Sequence, residues 1–406
     1  MKRSINLIFI FYSFFILGFF LNSDPNSGAF GDYQNHIRVI NDFKNSLIDT
    51  LLNYDSYNTR HSPVLYIIIS FFYKLNIPDQ IIRIFSIHLC LFLPFIFYKC
   101  LLTKYPKVNK EILILFSGII LISPTFWSLS IWPDSRLFGL IFFCLSIYYF
   151  LKFEFEKENN FKNAIKCILS YTLASYFSPN FSIFSIFYFY FFLKEFHLSK
   201  KIIYIVLLNI VLSLPAIIYI FSLETIFLFN HAIPGGKIGN LQIFNFSNKI
   251  LIIFSIISFY IIPFYITKSI KLNFWSYKLI TSSLAIVLLL AIYFDYNYYL
   301  TGGGIFFKIS YFLTKNNYLF FITCFFSTIF ILNIMKMNFR NSILIILLIL
   351  SNPQYTIYHK YYDPLLLILF TLLFSVNLNI RNFFNYRSLI IFYIYSGSFL
   401  IINFLK

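Results

Sequence analysis

Acidic side chains are the rarest charged class in this chain: 15 Asp and Glu stand against 32 Lys and Arg in 406 residues. Charged residues total 12%, about half the roughly 25% of a soluble globule, which excludes an ordinary soluble domain. Cysteine offers no framework. Cys90, Cys100, Cys144, Cys167 and Cys324 all fall in or beside apolar runs without CxxC spacing, the pattern of neither a disulfide scaffold nor a zinc site. No HExxH, GxSxG or GxxxxGK[ST] pattern is present. The two glycine clusters, Gly235-Gly236 and Gly302-Gly303-Gly304, read as outer loop turns, with Lys237 and Lys308 in reach of a phosphate.

What the chain has is apolar length. Hydrophobic residues make up 59% of it, in recurrent runs near the ~20 residues that cross a bilayer. The fold class is all-α, a polytopic transmembrane helical bundle in a single domain, 1–406. A β-barrel is excluded because the runs are continuous rather than alternating. The net charge of +17 is the excess of Lys and Arg that cytoplasmic loops collect, so the expected partners are membrane lipids and not nucleic acid. The 57 Phe and 32 Tyr reflect a composition rich in Phe, Ile, Asn, Lys and Tyr, not a stacking platform.

Basic clusters at 99–110, 152–166, 194–201, 268–278, 336–340 and 381–387 mark the cytoplasmic side. The outward turns then fall at 22–80, 131–135, 177–181, 222–248, 294–316 and 352–363. The first apolar run, 5–21, is an uncleaved span with its N-terminus inside. The parity forbids the run 64–73 from crossing, and it is short enough for a re-entrant or interfacial segment. Residues 22–80 are therefore wholly outside, 81–98 is the second span, and about 11–13 spans result in all. Within the outer segment, Tyr33, Ile37, Ile40, Phe43, Leu47, Leu51 and Tyr54 recur at helical spacing, predicting a helix along the membrane surface. Asp32 and His36 extend its inward stripe, where an acid and an imidazole need partners.

Two acids sit just beyond the outer ends of spans. Asp32, in Gly31-Asp32-Tyr33-Gln34-Asn35-His36, is either a carboxylate base or the N-cap of the surface helix. Asp134, in Ile131-Trp132-Pro133-Asp134-Ser135-Arg136, is likewise a functional acid or a cap, with Arg136 as its simplest partner. Arg60 and His61 precede Ser62-Pro63-Val64-Leu65-Tyr66 and are either an interfacial anchor or contacts to a lipid phosphate. His359 and Lys360 lie in the polar, Tyr-rich segment 354–364, on a face that the charge bias leaves poor in cations.

Gly31-Asp32-Tyr33, Arg60-His61-Ser62-Pro63-Val64-Leu65-Tyr66, Ile82-Arg83-Ile84-Phe85-Ser86 and the stretch from Ser123-Pro124 to Asp134 follow one another as an outer acid, a re-entrant segment, an Arg-bearing second span and a span opening at an acid. This order, over residues 1–155, resembles the GT-C membrane glycosyltransferases, in particular the family 39-like aminoarabinose transferases and protein O-mannosyltransferases. The resemblance implies a sugar donor on polyprenyl phosphate and a hydroxyl acceptor on a lipid-linked glycan, cell-surface polysaccharide or protein. It implies the inner membrane of a bacterial cell, with the active site facing the periplasm or exterior. It makes Asp32 and Asp134 the catalytic acids and carries the family's basic residue over to Arg60 or His61 as a substrate contact; His36, Arg136, His359 and Lys360 join the substrate-binding candidates by their place on the outer face. The chain departs from the pattern in having a single acid in the first loop and His-Ser-Pro for Lys-Pro-Pro.

The residues suit that chemistry. A hydroxyl attacking an anomeric carbon must lose a proton, which a carboxylate of ordinary pKa accepts at neutral pH. The phosphate leaving group needs fixed cations, and a divalent metal is a further expectation without a ligand spacing to support it. Two other readings remain open: a transporter or flippase for lipid-linked oligosaccharides, which would want ionisable residues such as His88 and Arg83 inside spans, and an O-antigen polymerase or ligase.

Overall fold

The computed structural model describes residues 2–25, 28–57, 59, 61–222, 246–270, 276–298, 302–352, 354, 356–376 and 378–405. These residues form helices and their connections; the β pairing among them is the isolated bridge between Ile270 and Leu378. The chain divides into two compact units, Met1–His231 with Tyr393–Lys406, and Ala232–Phe392. The unbroken apolar pattern of the sequence does not mark this division.

In the first unit, α1 is Lys2–Phe20, α2 Ala29–Asn45, α3 Leu47–Leu52, α4 Val64–Lys74, α5 Asp79–Cys90 and α6 Phe92–Lys104. There follow α7 Lys110–Gly118, α8 Pro124–Ile131, α9 Ser135–Phe155, α10 Asn160–Phe177, α11 Ser185–Phe196 and α12 Lys200–Ser222. The second unit has α13 Phe246–Ile266, α14 Tyr277–Ile292, α15 Gly304–Thr314, α16 Tyr318–Met337, α17 Phe339–Leu350, α18 Leu365–Leu372 and α19 Ile380–Phe383. The last helix, α20, is Tyr386–Phe404.

Among the described residues six helices are long and apolar enough to cross a bilayer: Asp79–Lys104, Ser135–Phe155, Lys200–Phe221, Phe246–Ile266, Tyr318–Met335 and Tyr386–Phe404. A seventh arises if Lys110–Ile122 and Pro124–Ile131, bent by 65°, count as one broken span. The chain is thus a helical, multi-pass membrane protein; among the described residues fewer helices reach full spanning length than the about 11–13 spans expected from run length. The reason is local. Two of the expected spans are short helices instead, Tyr277–Ile292 with 16 residues and Phe339–Leu350 with 12. At ~1.5 Å per residue these fall short of the ~30 Å hydrocarbon core.

The surface helix is also shorter than its periodicity suggests. It breaks at Ser46, whose extended backbone (φ −145°, ψ 113°) ends α2 and whose hydroxyl accepts from the Asp49 N–H to start α3. The buried face of α2 is Tyr33, His36, Val39, Ile40 and Phe43, while Leu47, expected on that face, is exposed. Val39, Ile40 and Phe43 pack with Tyr54, with Leu65, Tyr66 and Ile69 of α4, and with Ile82 and Phe177. α4 has 11 residues, about 16 Å of helix, too short to cross.

The first unit has two ends of different chemistry. At one end Tyr219 Oη donates to Leu51 O (3.1 Å), Arg83 Nε donates to Ile131 O (3.0 Å), and Phe177 joins the α2–α4 core. The turns at 131–135 and 177–181 therefore lie with segment 22–80. At the other end Lys157 pairs with Glu195 (2.7 Å), and the Lys201 ammonium lies over the Phe161 and Phe196 rings, so the basic clusters 152–166 and 194–201 lie together. The second unit repeats this division. Arg340 Nε donates to Leu373 O (2.7 Å), Asn379 N to Ser269 O (2.8 Å) and Asn382 Nδ2 to Lys268 O (3.2 Å), gathering clusters 268–278, 336–340 and 381–387 at one end.

Candidate active site

The N-cap position of α2 is Gly28, and the carboxylate that serves its first N–H groups is that of Asp24, not Asp32. The Asp24 Oδ2 atom accepts from the backbone N–H groups of Gly28 (2.9 Å) and Phe30 (3.0 Å), and the helix begins at Ala29. Asp32 falls inside the first turn, where the positive end of the helix favours a carboxylate. Its side chain is half-buried, and its charge acts on the buried Tyr66 hydroxyl. The cap reading of Asp32 is therefore set aside.

Asp134 is a cap and more. Its Oδ1 accepts from the Arg136 N–H (2.7 Å), starting α9. This link to Arg136 runs through the backbone. The carboxylate is 3% exposed, and its Oδ2 lies 4.0 Å from His61 Nδ1. The same imidazole nitrogen is 3.2 Å from Ser135 Oγ. A buried carboxylate needs such polar surroundings, because removing it from water is costly.

His36, buried on the inner face of α2, meets the His61 ring edge-on at 4.7 Å and the Tyr66 ring at 4.7 Å. Tyr54 Oη donates to His61 O (2.8 Å), holding the chain just ahead of α4. Burial, then the neighbouring Tyr54, Asp134 and Asp32, push the Tyr66 hydroxyl well above the usual tyrosine pKa. It stays a neutral donor. The structure thus brings Asp32, His36, His61 and Asp134 around Tyr66, joining α2, α4 and the α8–α9 turn.

The turn carrying Asp134 is braced by α5. The Arg83 guanidinium carbon lies 3.6 Å from the Trp132 ring centroid and 5.0 Å from that of Phe19. Besides its bond to Ile131 O, Arg83 donates through Nη2 to Asn22 Oδ1 (3.1 Å). Where α5 begins, Asp79 Oδ1 accepts from the Tyr33 hydroxyl and from the Tyr73 hydroxyl (2.7 Å). Burial and the Asp79 carboxylate both hold the Tyr33 pKa far above its ordinary value. The first helix of the outer segment is thereby tied to the second span.

Sequence reasoning missed Tyr66, Ser135 and Asp24. Tyr66 stood in the quoted re-entrant segment, but nothing local showed that it would face two acids. Arg60, Gly235, Gly236 and Lys237 lie outside the described residues. His359 and Lys360 belong to the second unit. There His359 Nδ1 is 3.5 Å from Tyr260 Oη, its ring meets Phe259 edge-on at 5.2 Å, and the Lys360 ammonium is 5.2 Å from the Tyr358 ring. Lys308 donates to Tyr298 O and lies over the Tyr298 ring. Among the described residues no group of three or more His, Cys, Asp and Glu is placed to hold a metal ion. No protein-family model, curated protein or solved structure matches the chain.

Proposed function

We propose that the chain is a membrane glycosyltransferase of GT-C type, moving a sugar from a polyprenyl-phosphate donor to a hydroxyl acceptor on the outer face of a bacterial inner membrane. The observation that carries the reading is the cluster of two carboxylates and two imidazoles around a buried tyrosine, at the end of the first unit away from its basic loops. Acids are scarce in this chain, and two of them meet here. Asp32, the more accessible, is the base that takes the acceptor hydroxyl's proton as oxygen attacks the anomeric carbon. The glycosidic bond to phosphate breaks as the new one forms, and the phosphate leaves with the bonding electrons. Asp134 and Ser135 orient the His61 ring, and His61, His36 and Arg136 face the developing phosphate charge. The Tyr66 hydroxyl, held protonated, is a further donor. The acceptor is a glycan, a lipid or a protein hydroxyl.

The test uses the purified full-length protein in lipid with a short-chain polyprenyl-phosphate sugar and membrane extract as acceptor, alongside glycan and lipid profiling of a deletion strain. Loss of one sugar from a surface glycan in the deletion strain, restored by the native gene and not by the Asp32→Asn gene, supports the reading. An unchanged profile together with no donor turnover removes it.

Transport of a lipid-linked oligosaccharide is a second reading. One observation favours it: His359 reaches the level of Phe259, well inside the candidate span α13, where ionisable residues mark translocation paths.

A further inference from the structure

Helices α2, α4 and α5 of the first unit converge on a carboxylate that stands outside the acid–imidazole cluster. Asp79 is the first residue of α5, directly after Pro78. An acid there suits the positive end of the helix, and that role needs no other side chain. Yet Asp79 Oδ1 accepts from the Tyr33 hydroxyl of α2 and from the Tyr73 hydroxyl of α4 (2.7 Å). Both bonds are charge-assisted, so each is stronger than a bond between neutral groups. Tyr33 is 1% exposed. Burial and the Asp79 carboxylate hold both hydroxyls protonated, so both remain donors.

Each contact of Asp79 leads on to the cluster. Tyr33 directly follows Asp32, and its ring lies 5.9 Å from that of Trp132. Phe30, on the other side of Asp32, meets Trp132 edge-on at 4.7 Å. Tyr73 shares α4 with Tyr66. The two stand about two turns, or ~10 Å, apart and so on one face of that helix. The third link runs along α5. Arg83 lies one turn beyond Asp79, whose charge attracts its guanidinium. Arg83 in turn lies over Trp132 and donates to Ile131 O, just ahead of Asp134. The contacts close a ring from Tyr33 through Asp79, Arg83 and Trp132 back to Tyr33.

Such a ring has work to do here. Asp32 and Asp134 belong to different elements, and the charges of both act on Tyr66. Two negative charges repel, and no local geometry in α2 or α9 fixes one acid against the other. The ring joins the elements that carry them.

We propose that Asp79 is a positioning residue: it sets where Asp32 stands against Asp134 and Tyr66, holding α2 through Tyr33, α4 through Tyr73 and the Asp134 turn through Arg83. Its effect on turnover rests on the transferase reading. Its effect on the spacing of the elements does not.

The experiment uses the full-length protein in lipid nanodiscs and has two arms. The first is geometric. Nitroxides are placed on Asn35→Cys and Asn159→Cys in a background without the five native cysteines. Both positions are exposed and lie in the first unit, Asn35 beside the cluster and Asn159 at the basic end. Their distance distribution is read by pulsed electron–electron double resonance. A narrow distribution in native protein is expected, broadened or displaced in Asp79→Ala and less so in Tyr33→Phe. An unchanged distribution in both variants overturns the proposal.

The second arm is kinetic, with donor titrations of native protein, Asp79→Ala, Asp79→Asn, Tyr33→Phe and the double variant Asp79→Ala with Tyr33→Phe. Misplacing a reacting group by about 1 Å costs on the order of 10²-fold. Asp79→Ala should therefore lower kcat by about 10–100-fold at unchanged KM. Asp79→Asn should recover part of the loss, because its amide oxygen still accepts from both hydroxyls. Tyr33→Phe should cost little more once residue 79 is Ala, since the two side chains act as one unit. Native kcat in Asp79→Ala overturns the proposal. Losses that simply add in the double variant also overturn it and make Asp79 a general stabiliser. A raised KM at native kcat does the same and makes it a substrate contact. Should Asp79→Ala fail to accumulate, Asp79→Asn, Tyr33→Phe and Tyr73→Phe carry both arms, and native kcat with native spacing in all of them overturns the proposal. If native protein transfers no sugar, the transferase reading falls and the geometric arm alone decides, so the two failures are told apart.

Discussion

At the scale of the residue, the two acids at the site differ in what they do for the fold. The Asp24 carboxylate serves the first N–H groups of α2, so Asp32 is free of that duty, whereas Asp134 caps α9 and faces His61 at once. Asp32→Asn is expected to leave folding and membrane accumulation intact while lowering transfer by roughly 10²–10⁴-fold, the usual contribution of a positioned base. Near-native turnover of this variant would end the base assignment. Asp24→Ala should cost about 1 kcal/mol of stability through the lost cap, read as a lower melting temperature in detergent. At Asp134 the pair of substitutions separates the roles. Asn caps as well as Asp, so Asp134→Asn should melt like the native protein yet turn over donor poorly, while Asp134→Ala loses both properties. Equal turnover by native protein and Asp134→Asn would make the residue a cap alone. The residue types were legible because acid is so rare in the sequence. Their convergence was not, since Tyr66, His61 and Ser135 are brought together by packing between distant segments, for which no local pattern exists.

At the scale of the element, periodicity located α2 correctly but not its end, because Ser46 offers the backbone a local alternative through its hydroxyl. Run length likewise counted apolar segments without showing which would be cut short. The interruptions at Ser123-Pro124, Gly302 to Gly304 and 351–364 carry turn chemistry whose effect depends on the neighbours that satisfy the freed backbone groups. The non-crossing α4 is the element on which the topology turns. Single cysteines at Asn53 and Asn76, in a background without the five native cysteines, should both react with an impermeant thiol reagent in intact spheroplasts. Protection at position 76 until the membrane is opened would mean that α4 crosses, and the site would lose its frame. Arg83 offers a second check. Its planar guanidinium both stacks on Trp132 and bonds to Ile131 O, so Arg83→Lys keeps charge but not geometry. A drop in turnover with an unchanged donor affinity is expected if Arg83 positions the Asp134 turn. A proportionate loss of donor affinity would instead make it a donor contact.

At the scale of the whole molecule, each unit segregates its charges by end, and each does so through its own contacts. In the first unit the Lys157–Glu195 pair and Lys201 lie away from the acid–imidazole cluster. In the second, Arg340, Lys268 and Asn382 gather at the base of the α17–α18 hairpin, away from the Asn248–Asp295 pair. The positive-inside rule is a statement about short loops near span ends, so it assigns each unit on its own evidence. On that rule we propose that the basic end of each unit is the cytoplasmic one. Single cysteines at Asn53 and Asn297 should therefore label from outside, and those at Lys157, Lys278 and Arg387 only after permeabilisation. All five positions are exposed, so protection cannot be put down to burial in the fold. Labelling of Lys278 and Arg387 from outside, with Lys157 still protected, would invert the second unit alone. Labelling of all three basic positions from outside would invert the whole chain and place the Asp32–Asp134 cluster where a cytoplasmic donor, not a lipid-carried one, supplies the sugar.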